Sequence, residues 1–445
     1  MRRTLMEKLV EWKENPDKKP LLLRGVRQCG KTYLLKEFGR LYYDDVAYFN
    51  FEGAPSLSEK FVRDLHAKRI IKELGIMRNK TIEPQKTLII FDEIQLCGKA
   101  LTALKYFCED APEYDIVCAG SLLGVALSEK TSFPVGKVEF LTLRPLGFYE
   151  FLLADGKELL AEYLRGDDSG SDDFSNDNSR AGTFDVVAFE DELREKLLDY
   201  YIVGGMPEAV DKWIATGYNL EKTETVQQYI LDSYEADFAK YAPANGFPKL
   251  SAIWRSIPAQ LSKDNQKFMF SQVRDSWRAK DLEDALEWLV GAGLAYKVAK
   301  IELPSIPLSA YADLTFFKLY MCDVGLLRKL SGLPASVIYD NSKAYREFKG
   351  ALAENFVLCE LMNQYRETPF YWKSSSSAEV DFVVQEEAEI IPIEVKAKRA
   401  SHARSLNEYC KKFSPKRAFV ISMENKENTI PLYLMWKFRE IINVK

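Results

Sequence analysis

Between Gly25 and Thr32 the chain reads Gly-Val-Arg-Gln-Cys-Gly-Lys-Thr, a G-x-x-x-x-G-K-[ST] spacing suited to holding a triphosphate. Gly25 and Gly30 let the backbone of Val26, Arg27, Gln28 and Cys29 curl, so that several N–H groups converge on phosphate oxygens. Lys31 would reach the β- and γ-phosphates, and the Thr32 hydroxyl would ligate Mg²⁺. Tyr33 closes the candidate nucleotide-binding stretch, at the start of a helix whose N-terminal dipole favours anions. The alternative is a glycine-rich turn that happens to carry Lys-Thr.

A second stretch supplies the carboxylates this chemistry needs. Thr87-Leu-Ile-Ile-Phe-Asp-Glu-Ile is an apolar run closed by Asp92 and Glu93, the pattern of a buried parallel strand. Asp92 would hold the hydration shell of Mg²⁺, and Glu93 would polarise the attacking water. Alone, the pair could equally be two surface carboxylates after a core strand. Tyr114-Asp-Ile-Val-Cys-Ala then leads into Gly120-Ser121. Ser121 would sense the γ-phosphate or position water, or it would cap the next helix.

Near the C-terminus lies a second set. Glu379-Val-Asp381 is followed by Glu394-Val-Lys396. Alternate residues of a strand share a face, so Glu394 and Lys396 point the same way. Asp381 and Glu394 could hold Mg²⁺, and Lys396 could orient a water toward a phosphodiester. Glu354, on the preceding helical stretch, could add a carboxylate. An exposed strand that alternates Ile or Val with charge is the plainer explanation.

The elements that must position these groups follow a strand–helix alternation. Strands are predicted near 21–23, 47–51, 87–91, 114–119 and 138–143, with helical spacing over 58–74, which gives a parallel α/β sheet. Residues 1–153 are predicted as this core, and 154–245 as a helical region with an acidic polar insertion over 166–185. Val203-Gly-Gly-Met-Pro207 breaks the helices there. Residues 246–310 read as a winged-helix-like unit with a wing strand at 294–298. Its second helix carries Asp281, Glu283, Asp284 and Glu287, which favours protein packing over duplex contact. Residues 311–445 return to α/β, with a helix over 350–365 and strands at 369–373, 379–385, 390–396 and 417–422.

The chain has 445 residues, 47% of them apolar, and a net charge of −5, so it is not a generally basic nucleic-acid binder. Its seven cysteines form no C-x-x-C, and two histidines leave little material for metal or histidine catalysis. Cys29, inside the loop, would expose its thiol to oxidation. No secretory leader and no apolar run long enough to span a membrane is evident, so a cytoplasmic location is expected.

Together these residues resemble bacterial and archaeal AAA-type ATPases that carry a C-terminal domain of unknown function with a restriction-endonuclease-like core. The shared marks include the Gly25–Thr32 loop, Tyr48-Phe-Asn50-Phe-Glu52, Phe91-Asp-Glu-Ile-Gln and Ala119-Gly-Ser121. Further along they include Leu143-Arg-Pro-Leu-Gly-Phe-Tyr-Glu150, Tyr201-Ile-Val-Gly-Gly-Met-Pro-Glu208, Leu319-Tyr-Met-Cys-Asp323-Val-Gly, Gly350-Ala-Leu-Ala-Glu354-Asn355 and the two C-terminal acidic stretches. The resemblance implies an AAA+ nucleotide-binding core, with Lys31, Thr32, Asp92 and Glu93 in its site and Ser121 at the sensor position. It also implies an arginine finger where this chain has Gly136-Lys137. Lysine lacks the planar fork of arginine, and Arg144 is the nearest substitute.

Three functions are consistent with these residues. The first is an ATPase that moves its C-terminal domain, acting on a nucleic acid or a protein client, alone or as a homo-oligomer. The second is an ATP-gated nuclease, and the third a slow nucleotide-regulated interaction protein.

Overall fold

The computed structural model describes residues 1–120, 134–166, 187–241, 246–263, 266–340, 343–374, 378–397, 403–426 and 429–443. The chain divides into two compact units. One comprises Arg2–Arg144 with Gly291–Leu294, and the other Met1, Pro145–Val290 and Ala295–Lys445.

The first unit is built on a five-stranded sheet of β1 (Leu21–Arg24), β2 (Asp45–Asn50), β3 (Thr87–Asp92), β4 (Ile116–Ala119) and β5 (Glu139–Thr142), in the order β2-β3-β4-β1-β5. Every pairing is parallel. Such strands are covered on both faces, which is why β3 and β4 are apolar without alternation and buried throughout. The Phe91 ring on β3 lies among Phe49, Phe51, Phe61 and Phe107 at centroid distances of 5.8–6.1 Å. This packing fixes the strand whose next residue is Asp92.

The helix predicted over 58–74 forms instead as two, Pro55–Glu59 and Ala67–Met77. Asp64 interrupts it. Its carboxylate accepts the His66 N–H at 3.0 Å and the Arg69 guanidinium at 2.8 Å, an Asx-type turn that competes with helix.

The second unit holds a mixed seven-stranded sheet. Its strands are β6 (Ala295–Ile301), β7 (Ala312–Met321), β8 (Phe370–Lys373), β9 (Glu379–Glu386), β10 (Glu389–Lys396), β11 (Phe419–Ser422) and β12 (Thr429–Pro431), in the order β12-β11-β10-β9-β8-β6-β7. The strand expected as a wing is β6. It pairs antiparallel with β7 and parallel with β8, so it is part of this sheet. Of the two helices expected before it, Phe270–Val273 is a single turn and Ala279–Gly291 is full length, burying Leu282, Ala285, Leu286 and Leu289.

Helix Phe148–Ala154, expected with the N-terminal core, groups with the second unit. Phe148 and Phe151 pack edge-on against Tyr200 of helix Glu190–Val203, and Phe148 also meets Phe356 of helix Lys343–Gln364. The break at 203–207 falls where predicted, with helix Pro207–Ala215 starting on its proline. The acidic insertion lies largely outside the described residues. No helix among the described residues is long and apolar enough to cross a membrane.

Candidate functional site

The loop from Gly25 to Gly30 joins β1 to helix Lys31–Tyr42. Gln28 and Gly30 sit at φ +66° and +92°, in the left-handed region that bends the chain back on itself. Gly25 is required by space, since a Cβ there would lie 2.1 Å from the Leu143 carbonyl oxygen. The Cys29 thiol is fully buried and faces that same carbonyl at 3.5 Å, which corrects the expectation of an exposed thiol. Lys31 is buried, and its Nζ donates to the carbonyls of Gly25 at 3.0 Å and Val26 at 2.8 Å.

A brace not evident from the sequence supports the loop. Arg3, itself buried, donates to the Cys29 carbonyl at 3.0 Å and to the Arg144 carbonyl at 2.6 Å. The loop and the end of β5 thus share one guanidinium. Only the Arg2-Arg3 pair before the first helix marks this in the sequence, and no spacing rule would single it out.

Parallel pairing of β1 with β4, and of β4 with β3, brings the ends of β1 and β3 to the same edge of the sheet. There the Thr32 Oγ1 donates to Asp92 Oδ2 at 2.9 Å. Tyr48 donates its phenolic O–H to the same oxygen at 2.8 Å, because β2 runs beside β3 in register Asn50 to Asp92. Burial and the neighbouring Asp92 carboxylate push the Tyr48 phenol well above its ordinary range, so it remains a donor. Asp92 itself is only 4% exposed. Glu93 follows at φ +52°, a left-handed backbone that turns its carboxylate off the strand, and Gln95 Nε2 donates to it at 2.5 Å.

Ser121 lies outside the described residues. Lys137 pairs with Glu109 at 2.8 Å, within its own unit. The described contact of Arg144 is through its carbonyl, to Arg3.

In the second acidic set, the β9–β10 hairpin brings Asp381 and Glu394 close enough to act on each other electrostatically, as the sequence predicts, and the set gains a residue the sequence did not mark. Its centre is Lys318 on β7, only 1% exposed. The ammonium lies 2.6 Å from Glu379, 3.5 Å from Glu354 and 3.9 Å from Asp381, and it donates to Gln266 Oε1 at 2.9 Å. Glu354 also accepts from the Tyr320 hydroxyl at 2.8 Å and from Gln266 Nε2 at 2.9 Å. Asp381 Oδ2 accepts the Val395 N–H at 2.7 Å.

Glu394 and Lys396 share a face of β10, as their spacing predicts, and pair with each other. The other Glu394 oxygen accepts the Leu406 N–H at 2.8 Å, in the first turn of helix Arg404–Phe413. It therefore acts as a cap for an element the sequence reading did not include.

Lys318 is what holds the carboxylates of the cluster together. Burial opposes the Lys318 ammonium, but Tyr320, Glu354, Glu379 and Asp381 outweigh it and hold its pKa well above the lysine value. Burial, and then Glu354, push the Asp381 carboxyl up. Despite its own burial, Glu379 is held below the ordinary range by Lys318 and Lys373.

Residues 17–152 match a family described as an AAA domain. Residues 194–337 and 349–436 match two domains of unknown function, DUF8612 and DUF4143. No curated protein matches the chain. Among solved structures, a Walker-type ATPase of Pyrococcus abyssi is 16% identical, covering 74% of this chain and 95% of its own, with a TM-score of 0.44. The ORC1 protein of Aeropyrum pernix in complex with DNA is 13% identical over 75% of this chain and 91% of its own, at 0.27. AMPPCP-bound DnaA of Aquifex aeolicus is 14% identical over 64% and 86%, at 0.24. The parallel sheet, the phosphate loop at the end of β1 and the AAA-domain match agree that residues 17–152 form an AAA-type P-loop domain.

Proposed function

We propose that this chain is an ATPase, binding ATP at Gly25–Tyr33 and hydrolysing it with Glu93. The observation that carries the reading is the 2.9 Å hydrogen bond between Thr32 and Asp92, which joins the end of the phosphate loop to the acidic end of β3. A hydroxyl and a carboxylate are hard oxygen donors that suit Mg²⁺, and Thr32 and Asp92 would hold it. A bound Mg²⁺ supplies charge neutralisation at the phosphates.

The remaining chemistry belongs to the chain. The N–H groups of the curled loop orient the phosphates. Lys31 now bonds two backbone carbonyls, interactions that a phosphate oxygen readily replaces because the ammonium gains a charged acceptor. Glu93, set by its left-handed backbone and by Gln95, polarises the water that attacks the γ-phosphorus. Ser121 is assigned the sensing of that phosphate. Lys137 and Arg144 are the candidates for a finger acting between subunits of a homo-oligomer.

Hydrolysis would be coupled to movement of the C-terminal unit. The turn 291–294, which leads into β6, groups with the N-terminal unit, and a Cβ at Gly293 would come within 3.5 Å of Val26 of the phosphate loop. We assign the seven-stranded sheet to the restriction-endonuclease type, on the helix Lys343–Gln364 followed by the β9–β10 hairpin with Asp381 and Glu394. Nucleic acid is the partner class this assignment favours over a protein client.

The test is ATP affinity and turnover in wild type and Lys31→Ala, with and without single-stranded and duplex nucleic acid. Loss of binding in the variant, with stimulation of the wild type by nucleic acid, is expected. Unchanged affinity in Lys31→Ala would remove the site.

A further inference from the structure

A metal-dependent nuclease needs an open set of carboxylates that converge on a divalent cation. Here the converging set already has a cation. Lysine has three N–H donors, and the Lys318 ammonium has three close acceptors, Glu379 at 2.6 Å, Gln266 at 2.9 Å and Glu354 at 3.5 Å, with Asp381 beyond at 3.9 Å. The remaining oxygens are engaged too. Tyr320 and Gln266 donate to Glu354, Lys373 donates to Glu379 at 2.8 Å, and the Val395 N–H donates to Asp381. Glu394, the other expected ligand, lies across the hairpin from Asp381, but its oxygens are taken by Lys396 and by the first turn of a helix.

Mg²⁺ demands near-octahedral oxygen ligands at about 2.0–2.1 Å and gives up its waters reluctantly. Entering among Glu379, Glu354 and Asp381, it would displace the buried Lys318 ammonium and leave that charge without partners in the interior.

We propose that Lys318 is the resident counter-cation of this cluster, standing where a divalent metal would have to bind, so that the C-terminal unit does not cleave phosphodiesters by metal-assisted hydrolysis. The inference rests on the assignment of the sheet to the nuclease type. On that assignment, the carboxylates are kept as a buried ionic pin between β7, β9 and helix Lys343–Gln364. Lys318 neutralises them without any external ligand.

The test uses the full chain, with the phosphate-loop metal site weakened by Asp92→Asn so that only the second cluster is read. Mn²⁺ uptake is followed by electron paramagnetic resonance, and folding by circular dichroism. The D92N chain should take up no Mn²⁺. D92N/K318M, freed of the internal cation, should take up about one Mn²⁺ per chain through its carboxylate oxygens, lost again on adding D381N. Asp381-dependent uptake by D92N would overturn the proposal, and so would a folded D92N/K318M that takes up none. If K318M does not fold, D92N against D92N/D381N decides alone, since uptake that depends on Asp381 refutes the resident cation and its absence supports it. Wild type with Mg²⁺ should leave single-stranded and duplex DNA intact, and cleavage lost in D381N would also overturn the proposal. Neither readout involves ATP turnover, so failure here and failure of the ATPase reading are distinguishable.

Discussion

Tyr48 and Thr32 both donate to one oxygen of Asp92, at 2.8 Å and 2.9 Å, from two different elements of the N-terminal unit. Thr32 opens the helix after the phosphate loop, and Tyr48 lies within β2. The carboxylate is thereby oriented before any nucleotide arrives. This is preorganisation of the sort that phosphoryl transfer depends on.

Tyr48→Phe tests that orientation. The ring remains, while the nearly buried Asp92 loses one donor. We expect a destabilisation of about 1–2 kcal/mol in urea unfolding, the cost of an underbonded buried acceptor, and a weaker response of turnover to Mg²⁺. Nucleotide affinity without Mg²⁺ should hardly change. An unaltered Mg²⁺ response would show that Thr32 alone positions Asp92.

Arg3→Ala tests the brace beneath the loop. Its two bonds hold the carbonyls of Cys29 and Arg144. Without them the loop N–H groups are less well fixed, and ATP affinity should fall roughly tenfold, or about 1.4 kcal/mol. Isothermal titration would read this directly, and wild-type affinity in the variant would reduce Arg3 to a stabilising contact.

The pH dependence of stability follows from two buried carboxyls. Burial pushes Asp323 up to about 6, although the N–H groups of Gly205 and Leu326 donate to it. Burial likewise pushes Glu360 up to about 7, although the Phe148 N–H donates to it at 2.6 Å. Each folded pKa lies above the unfolded value near 4, so the folded chain holds these protons more tightly. Their contribution is full below about pH 4 and is lost as pH rises through about 6 and then 7. Asp45 acts in the opposite sense, held down to about 2 by Arg78 and Lys80 despite its burial, and it matters only below about pH 4. Tm should therefore fall between about pH 5 and 7.5, and Glu360→Gln should flatten the upper part of that fall. A wild-type Tm that rises across the window would contradict this.

The phosphate loop and the Asp92 strand were legible because each is one continuous stretch whose residue types do local work. Gly25 to Thr32 needs no distant partner to be recognised. Tyr48 and Arg3 were not legible as site residues, since their roles arise from strand register and from the packing of the first helix. Lys318 was hidden for a similar reason. It directly precedes the shared Leu319-Tyr-Met-Cys-Asp323 stretch without being part of it, and its partners lie on other strands and on a helix. Helix Arg404–Phe413 did have a signal. Leu406, Tyr409, Cys410 and Phe413 fall at i, i+3, i+4 and i+7, and all four join one apolar cluster. That helix also explains Glu394, whose charge serves its first turn.

The central claim is most directly tested by ATP turnover in Glu93→Gln beside the wild type, with nucleotide affinity measured on the same samples. The substitution keeps the shape of the side chain and removes the carboxylate that polarises water. The account predicts that ATP binding survives within error while hydrolysis falls by roughly 10²-fold or more, the scale of one general base. Hydrolysis at the wild-type rate in Glu93→Gln, with affinity unchanged, would contradict it.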